Sequence, residues 1–349
     1  MHDVSTRAMM SVPLTRMNIT TTCKPFIETG QEAIAALRRA GCELPETATF
    51  GPLSGDALIN AIGAAEAVVA DLDLFNAETF RRLPDLKLVA RWGVGFDAVD
   101  IEAATEAGVM VSNTPGVLDE TVADLAFGLL LDVARQIHVG HMNMMKNAWV
   151  KEWAGDVHSK TLGLIGCGRI GMAVARRAKG FNMRVIAFDL FPNDKAKEMG
   201  VEFKSLDDVL SQGDFVSLHA AVTDQSRGMI GADQLKQMKP SAFLINTARG
   251  ALVDEAALAE ALNRGVIGGA ALDAYCVEPL PADSPLRSAE NILMTPHIAS
   301  LTTDNGRRIS DAAAQSVLDL AAGRRPRNLI NKDVLDCPAL RASLEGGGA

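Results

Sequence analysis

Short apolar runs alternate with helical patterns along most of the chain. Four such runs stand in the first part, at residues 17–20, 67–70, 88–90 and 109–111. Six more stand in the second part, at residues 161–165, 185–188, 215–219, 242–246, 269–272 and 292–294. Runs this short suit buried strands better than helices. Strands that alternate with helices are typical of parallel sheets with crossover helices, so the pattern predicts an α/β fold.

Helical periodicity fills several of the intervals between these runs. It predicts helices at residues 31–40, 101–107 and 307–322. The longest predicted helix covers residues 118–137. Leu125, Leu129 and Val133 recur within it at helical spacing. We expect this helix to continue, after a break, through residues 141–148.

The bulk properties narrow the class of protein. A chain of 349 residues is too long for one ordinary core and predicts two domains. A formal net charge of −9 argues against nucleic-acid binding, which needs clustered cations. The sequence has neither a secretory signal nor an apolar run long enough to span a membrane. We therefore expect no nucleic-acid partner and no membrane association.

The cysteines are odd in number and widely scattered. They are Cys23, Cys42, Cys167, Cys276 and Cys337. None has the spacing to a second cysteine or to a histidine that a zinc site requires. The sequence therefore predicts free thiols in a reducing cytoplasm and no bound metal.

A glycine loop follows the strand predicted at residues 161–165. Gly166, Gly168 and Gly171 form the pattern Gly-x-Gly-x-x-Gly, and a helical pattern begins directly after it. In such a loop the first glycine permits a tight turn and the second lets the backbone approach phosphates. The third allows close packing of helix on strand. The free N–H groups at the helix N-terminus favour an anion, so the stretch predicts a seat for a pyrophosphate.

The next strand ends in an acidic residue. Asp189 stands eighteen positions after Gly171. A carboxylate there accepts hydrogen bonds from the ribose hydroxyls of NAD and repels the 2′-phosphate of NADP. Leu190 and Phe191 supply no cation that would attract that phosphate. The sequence therefore predicts NAD as the cofactor, and the alternative is a glycine-rich turn with a chance aspartate.

Three later strands are each followed by a side chain that could carry chemistry. Arg249, Glu278 and His297 come after the runs that end at residues 246, 272 and 294. Ligands bind at the carboxyl ends of parallel strands, so we expect the three to gather at one edge. A guanidinium matches a carboxylate or keto oxygen, and an imidazole can exchange a proton near neutrality. Singly, each has an ordinary structural explanation; together, after a nucleotide loop, they predict reduction of a 2-keto acid or oxidation of its alcohol.

With these motifs the chain resembles the D-isomer-specific 2-hydroxyacid dehydrogenases, the relatives of phosphoglycerate dehydrogenase. The resemblance runs from about residue 88 to residue 331. Besides the glycine loop, its motifs lie at residues 246–250, 272–279 and 295–300. It implies hydride transfer between NAD and a small D-2-hydroxy acid or its 2-keto acid. It also implies that Arg249, Glu278 and His297 are catalytic, with Arg249 binding the substrate and Glu278 paired with His297 as the acid and base.

The resemblance assigns further contacts to the cofactor and the substrate. In addition to the three glycines and Asp189, the implied cofactor-binding residues are Arg169, Ile170, Thr247, Ala248, Asp273 and Thr121. Asp273 would bind the nicotinamide carboxamide, and the N–H groups of Arg169 and Ile170 would meet the pyrophosphate. The backbone at Val94 and Gly95 would receive the substrate carboxylate. His219 is expected to be mainly structural.

The resemblance also implies two doubly wound domains, with a Rossmann nucleotide domain inserted into a flavodoxin-like substrate domain. The substrate domain would comprise residues 14–112 and 297–332, and the NAD-binding domain residues 113–296. Residues 1–13 and 333–349 would be flexible or peripheral tails, including a disordered glycine run at 346–348. Hinges near residues 112 and 297 would let a cleft close. Relatives are usually dimers joined through the arm that here covers residues 118–148, so a homodimer is expected.

The exact substrate stays open at the level of sequence. The chain could be similar to phosphoglycerate dehydrogenase or to hydroxypyruvate and glyoxylate reductases. Asp71 stands where phosphoglycerate enzymes tend to place an arginine, which disfavours a phosphorylated substrate. One alternative is a dinucleotide-sensing, corepressor-like binding protein of the same fold. Another is a hydrolase or isomerase that uses bound NAD transiently.

Overall fold

The computed structural model of the protein describes residues 16–45 and 49–344. The predicted tail at residues 1–13 and the glycine run at 346–348 lie outside these ranges. The chain divides into two compact units, Met1–Leu118 with Thr302–Ala349, and Asp119–Leu301. We refer to them as unit 1 and unit 2. The boundaries predicted from sequence lie a few residues earlier along the chain, and which unit binds substrate stays a prediction.

All strands are short. They are β1 (Met17–Thr21), β2 (Cys42–Glu43), β3 (Ala67–Ala70), β4 (Leu88–Arg91), β5 (Met110–Ser112), β6 (Thr161–Ile165), β7 (Arg184–Phe188), β8 (Glu202–Phe203), β9 (Phe215–Leu218), β10 (Phe243–Asn246), β11 (Gly269–Leu272) and β12 (Ile292–Met294). Ten of the twelve correspond to apolar runs of the sequence. The other two, β2 and β8, have two residues each, which is too short for a periodic pattern to show.

An α-helix lies between most successive strands, as the pattern predicts, although only a 3-10 helix separates β11 from β12. The α-helices are α1 (Lys24–Thr29), α2 (Gln31–Arg39), α3 (Gly55–Ile62), α4 (Ala77–Arg82), α5 (Ile101–Glu106), α6 (Asp119–Arg135), α7 (Ile137–Met145), α8 (Arg169–Lys179), α9 (Asp194–Glu198), α10 (Leu206–Gln212), α11 (Ala232–Gln237), α12 (Glu255–Asn263) and α13 (Thr303–Ala321). No bounds were predicted from the sequence for α1, α3, α4 or α9 to α12. Among the described residues, no helix is both long enough and apolar enough to pass through a bilayer.

Unit 1 contains a parallel sheet with the order β2-β1-β3-β4-β5. This is the flavodoxin-like order, so the predicted fold class of this part is confirmed. Strands β3 and β4 are buried along their whole length. Directly after β4, the indole N–H of Trp92 donates to Ser310 Oγ at 2.9 Å, which joins the end of β4 to α13.

The segment after residue 332 is held against unit 1. The guanidinium of Arg341 donates to the carbonyl oxygens of Leu83, Leu86 and Phe80 at 2.6–3.1 Å. These carbonyls end α4 and the turn after it, where helix carbonyls lack partners. The described part of the predicted tail is therefore peripheral and anchored to unit 1, which agrees with the second of the two alternatives, flexible or peripheral, that were expected for it.

Unit 2 contains a parallel sheet with the order β12-β11-β10-β9-β6-β7-β8. The chain runs outward from β6 to β8, then returns to place β9 on the other side of β6. A reversal of strand order of this kind marks the crevice where dinucleotide sheets bind their ligand. Buried side chains of α6 and α8 cover one face, and those of α10, α11 and α12 cover the other. The Rossmann class predicted for this part is confirmed.

The long predicted helix is divided differently from the expectation. Helix α6 ends at Arg135, and Gln136 adopts a left-handed backbone conformation with φ 51°. A residue in that conformation cannot continue a right-handed helix. Helix α7 therefore starts at Ile137, earlier than the predicted resumption at residue 141. It ends at Met145.

Candidate active site

The carboxyl ends of the unit 2 strands lie at one edge of its parallel sheet. Most of the candidate residues of unit 2 follow one of these strands. The glycine loop follows β6, Asp189 follows β7, His219 follows β9, Arg249 follows β10, Asp273 follows β11 and His297 follows β12. Adjacent parallel strands end at the same edge, so the sequence prediction that these residues share an edge agrees with the topology.

The three glycines of the loop differ in how closely other atoms pack against them. Gly166 has φ 90°, and a Cβ built on it would lie 2.6 Å from the backbone of His219 and Ala220. A Cβ on Gly171 would lie 2.5 Å from the carbonyl oxygen of Gly166. A Cβ on Gly168 would meet no atom within 4 Å. Gly166 and Gly171 are thus needed for packing, whereas Gly168 leaves open space beside the backbone.

The N-terminus of α8 borders this open space. Its first residues, Arg169, Ile170 and Gly171, have no preceding helical carbonyl to receive their N–H groups. Across the sheet edge, the Oγ1 atom of Thr247 is buried and has no hydrogen-bond partner among the described residues. Open space, free helix N–H groups and a buried hydroxyl without a partner fit a dinucleotide with its phosphates at α8.

Asp189 is fixed by two backbone groups. Its Oδ2 accepts the N–H of Cys167 at 2.7 Å, and its Oδ1 accepts the N–H of Phe191 at 2.8 Å. The first bond ties the carboxylate to the glycine loop itself. Leu190 and Phe191 are largely exposed and place no cation beside the carboxylate. The arrangement suits ribose hydroxyls and disfavours a 2′-phosphate.

Arg249 lies in a loop that is bonded to its own strand end. The side-chain amide of Asn246 donates to the carbonyl oxygen of Arg249 at 2.8 Å and accepts the N–H of Ala248 at 3.0 Å. The following residue, Gly250, packs tightly, since a Cβ there would lie 1.9 Å from the carbonyl carbon of Tyr275. This close approach brings the Arg249 loop against the turn after β11.

His297 and Glu278 form a hydrogen-bonded pair. The distance from His297 Nδ1 to Glu278 Oε2 is 2.6 Å, and about a third of the imidazole side chain is exposed. The bond to Glu278 raises the pKa of His297 above its ordinary value of 6.5, although burial acts in the opposite direction. Burial raises the pKa of Glu278, but the bond and charge of His297 outweigh it, so that this pKa falls. The charge of Arg249 lowers both pKa values.

The backbone at His297 is held in an uncommon conformation. His297 has φ 53°, in the left-handed region that few residues other than glycine adopt. The carboxylate of Asp273 accepts the N–H groups of Ile298 and Ala299 at 2.9 and 2.8 Å, and the hydroxyl of Thr295 at 2.5 Å. Burial raises the pKa of Asp273, and these bonds offset only part of the rise. Asp273 therefore fixes the turn that presents His297; its assignment to the nicotinamide stays a prediction.

His219 has a different environment from His297. Its Nε2 lies 2.9 Å from Ser217 Oγ, and burial lowers the pKa of His219 to about 4. A neutral imidazole at this strand end suits the mainly structural role that the sequence predicts. Thr121 is buried on α6. The described residues contain no cluster of three or more histidine, cysteine or acidic side chains that could hold a metal ion.

The predicted substrate loop belongs to unit 1. Three successive carbonyl oxygens are taken by neighbouring donors: Gly93 by the N–H of Thr114 at 3.0 Å, Val94 by Asn113 Nδ2 at 2.7 Å, and Gly95 by Arg91 Nε at 3.0 Å. No hydrogen bond among the described residues uses the N–H of Val94 or of Gly95. The loop thus holds its carbonyls inward and keeps two amide donors available for an anion.

Comparison with known proteins identifies the family. A model of the D-isomer specific 2-hydroxyacid dehydrogenase NAD-binding domain matches residues 127–299. The chain is 42% identical over 292 residues to a glyoxylate reductase of Korarchaeum cryptofilum, covering 81% of this chain and 88% of that protein. The chain belongs to the D-isomer-specific 2-hydroxyacid dehydrogenase family. It is accordingly an NAD-dependent dehydrogenase of D-2-hydroxy acids.

Solved structures of other proteins share the fold of this dehydrogenase. The TT0316 protein of Thermus thermophilus superposes with a TM-score of 0.81 at 37% identity, over 90% of this chain and all of that one. The D-lactate dehydrogenase of Lactobacillus jensenii, solved with NAD+, gives a TM-score of 0.72 at 27% identity, over 90% of this chain and 99% of that one. These likenesses confirm the fold class and the cofactor.

Sequence reasoning missed two residues that shape this dehydrogenase site. Gly250 permits the close approach to Tyr275, and Tyr275 in turn bonds to the segment before His297. Both stand within motifs that the sequence singled out. Their roles depend on which loops meet across neighbouring strands, and a single sequence does not display that.

Proposed function

We propose that the chain reduces a small, unphosphorylated 2-keto acid such as glyoxylate or hydroxypyruvate to the D-2-hydroxy acid. The observation that carries the proposal is the pair of His297 and Glu278, 2.6 Å apart, on the strand edge that also holds Arg249. A protonated imidazole stabilised by a carboxylate, beside a guanidinium, is the donor set that a carbonyl oxygen needs as it becomes a hydroxyl.

Each of the three residues has a separate role in the proposal. NADH, when bound, supplies the hydride. His297 donates a proton from Nε2 to the substrate oxygen, because Nδ1 is engaged by Glu278. Glu278 stabilises the imidazolium and fixes the plane of the ring. Arg249 offers planar donors to the substrate carboxylate or keto oxygen.

Unit 1 and the relatives support the proposed substrate class. The free N–H groups of Val94 and Gly95 suit a carboxylate. Asp71 and the buried Asp73 follow β3 at the same end of the sheet, and two carboxylates disfavour a phosphate group. The relative from Korarchaeum cryptofilum is named a glyoxylate reductase. We therefore expect glyoxylate and hydroxypyruvate to be better substrates than phosphohydroxypyruvate.

The test is a substrate panel. NADH would be incubated with glyoxylate, hydroxypyruvate, pyruvate and phosphohydroxypyruvate, and its absorbance followed. We expect consumption with the unphosphorylated acids, and the hydroxy acid formed should be the D isomer. A preference for phosphohydroxypyruvate would overturn the substrate class. NADH binding without turnover of any acid would overturn the proposed reaction in favour of a dinucleotide-sensing binding protein.

We also propose that the protein acts as a homodimer through α7 and the segment after it. Helix α7 buries none of its residues within the chain. Large apolar side chains continue along the same stretch to Trp149 and Trp153, which are 78% and 98% exposed. An apolar surface of this kind marks an interaction site, and a second copy of the chain is the partner we propose.

A further inference from the structure

Tyr275 is the single tyrosine of the chain and lies in the turn after β11. It is 9% exposed. Its phenol O–H donates to the carbonyl oxygen of Thr295 at 2.8 Å, with the carbonyl oxygen of Leu272 at 3.1 Å as a second acceptor. Its backbone N–H donates to Glu278 Oε1 at 2.9 Å. One residue is thus bonded to the segment that carries His297 and to the carboxylate that pairs with it.

The phenol acts on the turn that presents His297. The carbonyl oxygen of Thr295 accepts both the phenol O–H and the backbone N–H of His297, the latter at 3.1 Å. His297 has a left-handed backbone, which persists only where neighbouring bonds hold it. The phenol supplies one of those bonds from outside the turn. Without it, the Thr295 carbonyl would be less firmly placed.

The backbone N–H of Tyr275 acts on the other partner. Glu278 uses Oε1 to accept this N–H and Oε2 to bond His297, so that the amide sets the direction in which Oε2 points. The next N–H along the chain, that of Cys276, donates to Glu255 Oε1 at 2.7 Å. The turn that carries Tyr275 is therefore anchored to α12 and cannot shift freely.

We propose that Tyr275 is a positioning residue that keeps His297 and Glu278 at hydrogen-bonding distance. The proposal rests on the proposed function, because it concerns the acid and base of that same reaction. In this proposal Tyr275 acts on the pair through Thr295 and Glu278.

Removing the phenol oxygen changes geometry without changing charge. The charged groups that face His297 are Glu278, Asp273 and Arg249, and all three stay in place. Burial raises the pKa of Tyr275 to about 12, so the phenol is neutral under working conditions. Any change in the titration of His297 in a Tyr275→Phe variant must therefore come from a changed arrangement of the pair.

The first experiment compares wild type, Tyr275→Phe and Asn263→Ala in keto acid reduction. We expect Tyr275→Phe to lower kcat roughly fivefold, the effect of losing one neutral hydrogen bond, and to change KM less than about twofold. The alkaline fall of kcat/KM should begin about half a pH unit lower. Asn263→Ala is the control. Asn263→Ala removes the side-chain oxygen that accepts the backbone N–H of Glu290, elsewhere in unit 2. It should leave the pH dependence of kcat/KM unchanged.

The second measurement does not require turnover. NMR titration of the imidazole Cε1–H resonances would follow His297 among the six histidines of the chain, assigned with a His297→Gln variant. A lower pKa of His297 in Tyr275→Phe, with thermal unfolding close to that of Asn263→Ala, supports the proposal. An unchanged pKa together with an unchanged kcat overturns it. If wild type reduces no keto acid, the proposed function fails while the titration still decides the role of Tyr275.

Discussion

In the proposed reaction, the protonation of His297 sets the pH range in which a keto oxygen can be reduced. Reduction needs the imidazolium, and the pKa of His297 is raised above 6.5, chiefly by its bond to Glu278. The charged form therefore persists to a higher pH than in an isolated histidine. For reduction, kcat/KM should be level at low pH and fall as pH rises through the raised pKa of His297. For oxidation, which needs the neutral ring, the dependence is reversed.

Glu278→Gln tests this coupling. The amide cannot stabilise the imidazolium by charge, so the pKa of His297 should fall by about one unit, the size expected for loss of a charge-assisted hydrogen bond. The fall in kcat/KM for reduction should move to lower pH by the same amount. Glu290→Gln alters an exposed carboxylate in the same unit and serves as the control. A profile identical to wild type would show that another group governs the protonation step.

Asp189 should decide between the two nicotinamide cofactors. We expect wild type to use NADH over NADPH by on the order of 100-fold in kcat/KM, because a carboxylate against a phosphate costs several kcal/mol. Asp189→Asn should reduce that ratio about tenfold while its amide oxygen still accepts the N–H of Cys167. Asp194→Asn, an exposed charge removal on the following helix, should leave the ratio unchanged. Equal use of both cofactors by wild type would refute the assignment.

Single residues were singled out from sequence by side-chain type and by position after an apolar run, and their catalytic roles stay a prediction. Arg249, Glu278 and His297 were recognisable because each stands just after an apolar run. The residues that hold them were not, because Tyr275 and Gly250 act through backbone atoms of another loop. Asp273 was predicted to bind the cofactor, and its bonds to the turn around His297 became visible only in the structure.

The strand and the helix that flank the glycine loop constrain its glycines unequally. Gly171 lies on α8 against the carbonyl oxygen of Gly166, so the helix can approach β6 only without a side chain there. Gly168 has a negative φ of −76°, and a Cβ added to it would meet no atom within 4 Å. Gly171 therefore serves the packing of two elements, and Gly168 is expected to serve the bound phosphates.

Matched alanine variants separate the two roles. Gly168→Ala should keep the thermal midpoint within about 2 °C of wild type, as expected for a surface change. It should weaken NADH binding at least tenfold, because the methyl group occupies the approach to the phosphates. Gly171→Ala should lower the midpoint by several degrees, since its Cβ would meet a backbone oxygen at 2.5 Å. Thermal scans with and without NADH give the stability of each variant, and NADH fluorescence titration gives its affinity for the cofactor. If Gly168→Ala lowered the midpoint and Gly171→Ala weakened only NADH binding, the two assignments would be wrong.

Elements were predicted only in part, since helices such as α3, α10 and α12 were given no bounds from the sequence. Strands β6, β11 and β12 begin and end at the predicted residues, because turn residues or charges bound each apolar run. Strands β2 and β8 were missed because two residues show no period. The break between α6 and α7 was expected, but its position depends on the left-handed Gln136, whose residue type gives no strong signal.

For the whole molecule, the described surface outside the candidate site has one conspicuous apolar stretch. Seven large side chains between residues 137 and 153 are half to almost fully exposed. They are Ile137, Met142, Met144, Met145, Trp149, Val150 and Trp153. Isolated exposed apolar residues are ordinary, but so many in one short stretch are not. The surface suits a symmetric contact in which the same stretch of a second copy covers it.

The double variant Met145→Glu with Trp149→Glu should abolish that association. Each chain has a mass of 37.0 kDa, and sedimentation velocity should give wild type twice that mass. The variant should sediment as a monomer, because two carboxylates per copy would have to be buried against apolar side chains. Leu74→Glu, which places a carboxylate at an exposed apolar position of unit 1, controls for the added charge and should remain dimeric. A monomeric wild type would refute the dimer outright, and a dimeric double variant would place the contact on another surface. If the variant is monomeric and still unfolds cooperatively, the apolar stretch serves association between copies and is not needed for the single chain to fold.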